Sequence, residues 1–335
     1  MKWVVVGVAS MLVVGVTAVV VSVRLTLWPS LAIITSFLSY GDRASDAALA
    51  ERVPPGIAAL HDISYGSAKD EVLDLYYREG TRPRPAIVWV HGGAFVAGSK
   101  NGVANYLKIL ASHGYTTIAV EYSKGPRTTY PKPVEQVNAA LGFVVRHAAD
   151  LNVDPATILL GGDSAGAHIA GQLALITTNP AYARAISIAP LLTPTQLKAT
   201  LLVSGVYDPV ELNLGGTYGW FNEIVLSAYS GTRKFRDDER FKLTSITHYV
   251  TGAFPPAFIS SGNGDPLAPQ AMLLAHRLSD VGVHVDALFF PTNRAPKLKH
   301  EYQFNLNEPA GQEALRRILA FLDAAASLPA QPSDQ

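Results

Sequence analysis

The five residues Gly162-Asp163-Ser164-Ala165-Gly166 follow the apolar run Thr157-Ile158-Leu159-Leu160 and precede Ala167-His168-Ile169-Ala170-Gly171-Gln172-Leu173-Ala174-Leu175. The first segment reads as a buried strand and the second as a helix, so the G-x-S-x-G word between them is a sharp strand-to-helix turn. Small residues at both ends let the backbone fold back on itself, which lifts the Ser164 hydroxyl out at the edge of a sheet in a strained conformation. The helix that follows points its free N–H groups and the positive end of its dipole at the same place. The word also occurs in turns without chemistry, so Ser164 is a candidate nucleophile whose standing depends on the rest of the chain.

Three further words stand where other strands end. About seventy residues upstream, Ala86-Ile87-Val88-Trp89-Val90 is a buried-strand run closing in His91-Gly92-Gly93-Ala94-Phe95, where glycines leave backbone N–H groups uncovered. Downstream, the strand Pro256-Ala257-Phe258-Ile259-Ser260-Ser261 is closed by Gly262-Asn263-Gly264-Asp265-Pro266-Leu267, which places the Asp265 carboxylate at a strand end. After the strand Val283 to Phe290 and a polar loop comes His300-Glu301-Tyr302. Ser, Asp, His along the chain is the order of the triad in the α/β-hydrolase topology.

These HGGA, GDSAG, GxxDPL and HEY words resemble those of the bacterial hormone-sensitive-lipase-like carboxylesterases of the α/β-hydrolase superfamily, and the likeness extends from about Ile63 to Leu322. The resemblance implies a mostly parallel sheet with helices on both faces and a serine esterase acting on a small hydrophobic ester without a cofactor. It implies Ser164 as nucleophile, His300 as general base and acid, Asp265 as the orienting carboxylate, and N–H groups of Gly92, Gly93 and Ala165 as the oxyanion hole. The chain departs from that pattern at Ala94, where the family usually has a third glycine, and at Glu121-Tyr122-Ser123, where it usually has Asp-Tyr-Arg. An HGG word followed by other residues also marks feruloyl-esterase-like and arylformamidase-like relatives. Two other functions stay open: an arylformamidase- or peptidase-like amide hydrolase on the same triad, and a catalytically silent hydrolase fold serving as a membrane-tethered binding module. Asp208-Pro209 is the internal rival of Asp265-Pro266 for the triad acid. His91 shapes its loop, His168 packs in the helix behind the turn, and Asp163 is a turn carboxylate.

At 335 residues, 48% hydrophobic and 16% charged, the chain can bury a large core. Lys plus Arg and Asp plus Glu number 27 each, so no net charge draws it to nucleic acid. With no cysteine there are no disulfides and no thiolate metal sites, and the nine histidines carry no H-E-x-x-H spacing, so no metal is called for.

Trp3 to Val23 is a Val-rich run of twenty-one uncharged residues between Lys2 and Arg24. At 1.5 Å per residue it spans about 30 Å, the thickness of a bilayer's hydrocarbon core, and no small-x-small cleavage site follows it. Residues 1–24 therefore read as an uncleaved signal anchor that makes the membrane a partner and puts the catalytic domain outside the cytoplasm; the competing reading is a cleaved signal peptide, which would make the protein secreted. Residues 25–60 read as a membrane-proximal or cap segment, with Leu25 to Leu38 broken at Trp28-Pro29 and Trp28 at headgroup level, and Asp42 to Gly56 a short helix and linker. Residues 61–328 form the catalytic domain and 329–335 a disordered tail. Ala185-Ile186-Ser187-Ile188 reads as strand-like. Between about 207 and 254 the periodicity breaks down, and Tyr218, Trp220, Phe221 and Tyr229 mark a lid-like insertion, either lining a pocket or simply packing on the sheet.

Overall fold

The computed structural model describes residues 26–80 and 83–327. One sheet of eight strands runs in the order β1-β2-β4-β3-β5-β6-β7-β8, where β1 is Ile57–Ser64, β2 Val72–Arg78, β3 Arg84–Val90, β4 Thr116–Val120, β5 Val153–Asp163, β6 Leu197–Val203, β7 Ala257–Ser260 and β8 Val285–Leu288. β2 is antiparallel to β1 and β4, and the remaining pairs are parallel. The helices that matter below are α1 Trp28–Ala47, α2 Ala104–Ala111, α3 Lys132–Arg146, α4 Ala165–Thr178, α5 Pro180–Ile186, α6 Gly219–Ser230, α7 Glu239–Lys242, α8 Ala268–Asp280 and α9 Pro309–Ala326.

Parallel neighbours need crossover helices, which cover both faces of the sheet, so its inner strands have no polar side. Ala86 to Val90 of β3 are accordingly all buried. Successive side chains still alternate between faces: Ala86, Val88 and Val90 pack with residues of α3, α4 and α8, while Ile87 and Trp89 pack with those of α2 and α9. The outer strand β1 is largely exposed and carries His61 and Asp62, and its register slips between Leu60 and Ile63, where Asp62 is left-handed at φ 55. Charge and a bulge on an edge strand discourage further pairing.

Several sequence expectations change. Trp28-Pro29 begins a helix instead of breaking one, because proline in the first turn removes only an N–H that has no helical partner. That helix, α1, continues through Leu38 to Ala47, merging two expected segments into one element. Leu31 and Ile34 join the core, and Asp46 accepts Asn105 N–H at 2.7 Å and Asn105 Nδ2 at 2.8 Å where α2 begins. β1 starts at Ile57, so residues 57–60 belong to the sheet. Ala185 and Ile186 close a helix, not a strand: Asn179 caps α5 by accepting N–H bonds from Ala181 and Tyr182, and left-handed Ser187 ends it. Among the described residues no helix is long and apolar enough to cross a membrane. The expected anchor Trp3 to Val23 and the expected tail 329–335 lie outside the described residues.

Candidate active site

β3, β5 and β7 all end at the carboxyl edge of the sheet, where open α/β sheets place their ligands. β5 passes directly into α4 through Ser164, which is held at φ 50, ψ −117, far from ordinary strand or helix geometry. Such a turn needs close backbone approach. A Cβ on Gly166 would lie 2.0 Å from the Val90 carbonyl oxygen, so the end of β3 is pressed against the start of α4 only because that position is glycine.

Three side chains predicted from sequence meet here. His300 Nε2 is 3.0 Å from Ser164 Oγ, and His300 Nδ1 is 2.9 Å from Asp265 Oδ2. Asp265 also accepts from Ser261 Oγ and from Leu267 N–H, each at 2.9 Å. Burial works against its charge, but the hydrogen bonds led by His300 outweigh that and hold the carboxyl below the usual carboxylate range. The His300 side chain is 34% exposed at the mouth of the site. Burial opposes its cation too, yet Glu301 first, then Asp265 and Asp163, lift it to about 9. Asp208 is occupied elsewhere: it accepts from Ser245 Oγ and lies 3.6 Å from His248.

The loop after β3 carries a run of left-handed residues, Gly93 at φ 107, Ala94 at φ 53 and Phe95 at φ 64. Successive N–H groups in such backbone make a concave anion cradle. Gly93 must be glycine, since a Cβ there would come within 2.3 Å of the Ala97 carbonyl oxygen. The expectation for Gly92 is corrected, because its single N–H donates to Asp163 Oδ2 at 2.7 Å and so is not free for an oxyanion. Among the described residues the N–H groups of Gly93, Ala94 and Ala165 have no acceptor within the protein. On this loop the Ala94 N–H is left without an acceptor where the Gly92 N–H is not. The third glycine's absence costs no donor, for alanine keeps its N–H.

Asp163, read above as a turn carboxylate, ties the two loops together by accepting Gly92 N–H and, at 2.7 Å, Trp89 Nε1. His91 shapes the same loop: Nδ1 is 2.7 Å from Gly92 O, Nε2 is 3.2 Å from Glu121 Oε1, and the ring stacks on Tyr122. Burial disfavours the Glu121 charge, but His91 and Lys124 outweigh it and take the carboxyl down to about 2. The Glu-Tyr-Ser departure therefore serves to brace the HGG loop. His168 donates Nε2–H to Thr244 O at 2.8 Å, and burial pushes it down to about 4, so it packs as a neutral ring. Glu301 and Asp42 also reach the site; in the sequence Glu301 is only part of a word and Asp42 belongs to no motif, because it takes the folded chain to set the histidine loop and helix α1 against the end of β5. Among the described residues no group of three or more His, Asp or Glu is placed to hold a metal.

The aromatic residues of the insertion divide. Tyr229 is buried and stacks on Phe95 of the loop after β3 at 3.9 Å between ring centres, and Tyr130 N–H donates to its carbonyl. Tyr218 and Trp220, at the start of α6, are about half exposed. Packing explains the first and leaves the other two at the surface.

The BD-FAE family model matches residues 73–278, more than half of the chain. The chain belongs to the BD-FAE family. This BD-FAE chain is 30% identical over 219 residues to Esterase LipQ of Mycobacterium tuberculosis, a match covering 64% of the chain and 51% of that protein. It is 25% identical over 257 residues to the acetyl esterase of Salmonella choleraesuis, covering 75% of the chain and 76% of the relative. The chain spans about half the length of LipQ and of LipM, a probable carboxylic ester hydrolase of the same organism. In three dimensions it is similar to esterase B from Lactobacillus rhamnosis, with a TM-score of 0.77 at 22% identity over 90% of the chain and 95% of that structure. That likeness carries the α/β-hydrolase fold of this BD-FAE member.

Proposed function

We propose that the chain is a serine carboxylesterase that hydrolyses a small, uncharged, hydrophobic ester through an acyl-enzyme. The observation that carries this reading is the unbroken relay from Asp265 Oδ2 through His300 to Ser164 Oγ, at 2.9 and 3.0 Å. A serine hydroxyl is a weak nucleophile at neutral pH, so attack on the ester carbonyl requires that His300 Nε2 take its proton as the Oγ–C bond forms. The negative oxygen of the tetrahedral intermediate meets the N–H groups of Gly93, Ala94 and Ala165, each such donor being worth about 3 kcal/mol in the barrier. His300 then protonates the leaving alcohol, and in the second half it takes a proton from water, whose attack on the acyl-serine releases the acid and restores Oγ–H. The likeness to LipQ, an esterase, and to the Salmonella acetyl esterase supports the same substrate class.

A panel of aryl esters of graded acyl length, run beside matched amides and N-formyl aromatic amines, tests the reading. Esters are expected to turn over fastest; a preference for the formyl amines or amides would replace it with the amide-hydrolase alternative, and no turnover of any of them would leave a silent fold.

The reading includes attachment to a bilayer by Trp3 to Val23. It is supported by the length of that uncharged run and by α1, which starts shortly after it with Trp28, Ile33, Phe37 and Tyr40 exposed, Phe37 by 76%. The full chain is expected to remain in the membrane fraction through carbonate washing. Release by high salt would mean a peripheral contact, and a mature N-terminus beyond Arg24 would mean a cleaved signal peptide.

A further inference from the structure

We propose that Glu301 is a positioning residue for this reaction, a second carboxylate that braces His300 from the side of the nitrogen that takes and returns the proton. The inference rests on the ester-hydrolase reading above. Glu301 Oε1 lies 3.5 Å from His300 Nε2, the same atom that is 3.0 Å from Ser164 Oγ. A Ser-His-Asp relay needs one carboxylate, and Asp265 fills that place on Nδ1. Glu301 stands instead at the reacting nitrogen.

The backbone shows that this position is built rather than incidental. Glu301 is left-handed at φ 56, a conformation that a glycine would adopt without strain and a glutamate adopts only when its surroundings hold it there. Its N–H donates to Ser204 Oγ at 3.1 Å, and its carboxyl reaches Asp163, whose two oxygens accept from Trp89 and Gly92. Glu301 therefore links the histidine loop to the nucleophile turn and, through Asp163, to the oxyanion loop. Two carboxyls set this close resist double ionisation. Burial raises both groups; the Glu301 charge adds to it for Asp163, which rises to about 8, while for Glu301 the Asp42 charge adds to it and the His300 cation and the hydrogen bond with Asp163 work against it.

Every charged group facing this point bears on the His300 cation. Asp265 lies on Nδ1 and Asp163 behind Glu301. From α1, Asp42 faces the pair, with burial first and then Asp163 pushing it up to about 6. His91 lies on the far side of Asp163, itself paired with Glu121 and through it with Lys124. The carboxyl nearest Nε2, and the largest electrostatic influence favouring the cation, is that of Glu301. When Ser164 gives up its proton, the N–H formed at Nε2 is held between the leaving oxygen and Oε1; it then passes to that oxygen, and Glu301 gains and loses nothing. The same charge favours the cation in the free enzyme, where only the neutral ring can act as base. Activity of the parent should accordingly climb with pH through the neutral range.

The test is the pH profile of kcat/KM for a neutral aryl ester, full-length parent against Glu301→Gln. The midpoint of the rising limb is expected to move about one pH unit lower, so that at a fixed pH below it the variant is up to about tenfold faster. On the alkaline plateau the variant should be slower than the parent, with KM unchanged. Profiles that cross cannot come from a loosened fold, which lowers the rate at every pH. Glu301→Gly, suited to the left-handed backbone, should shift the limb the same way. A midpoint that stays in place or moves upward in both variants overturns the proposal. The 15N shift of His300, titrated in the Ser164→Ala background with and without Glu301→Gln, reads the same quantity without turnover. A downward move supports the role and none refutes it, even if the parent hydrolyses no ester, which would sink the esterase reading alone.

Discussion

Ser164→Ala is expected to lower ester turnover by at least about 1000-fold while leaving the fold intact, because activation and covalent attack both pass through one hydroxyl. The residual rate would come from the N–H groups of Gly93, Ala94 and Ala165, which the substitution does not touch. The melting temperature should be unchanged or slightly higher: Oγ contributes only its bond to His300, and residues strained for function seldom sit at a stability optimum. A serine-directed phosphonate should label the parent and not the variant. Turnover within tenfold of the parent, with the protein folded, would remove Ser164 as nucleophile and the acyl-enzyme with it.

Sequence carried much of the site because its parts lie at strand ends. Each of Ser164, Asp265 and His300 follows an apolar run short enough to be a strand, and in a parallel sheet those ends fall on one edge, so residues 136 positions apart in the chain come to share a proton. What stayed hidden depends on orientation. Nothing in His-Gly-Gly-Ala tells which N–H turns outward; that was decided by Asp163, whose carboxylate captured Gly92 and left Ala94 free. Glu301 was visible as a letter of a word, but its reach to Nε2 follows from a left-handed backbone that the residue type argues against. On the fold, Asn179-Pro180 is a capping pair that outweighed the β-branched residues after it, and Trp28-Pro29 is ambiguous because proline both ends helices and begins them.

Asp265→Asn is expected to cut turnover by about 10^4-fold with little change in KM, and Asp208→Asn to be mild. The two share an Asp-Pro word at a strand end, and the geometry separates them. Asp265 receives Nδ1–H of His300 at 2.9 Å, which leaves the Nε2 lone pair facing Ser164; an asparagine amide can donate to Nδ1 instead, moving the ring proton to Nε2, where it blocks acceptance of the serine proton. Asparagine also removes the charge that stabilises the imidazolium formed during attack. Asp208 has Ser245 and the exposed His248 as partners, so its loss unsettles the base of the insertion and not the base of the reaction. The measurement is kcat and KM for one aryl ester across both variants, with circular dichroism to show that each is folded. If Asp208→Asn proves the crippled one and Asp265→Asn stays within tenfold of the parent, the relay drawn here ends at the wrong strand.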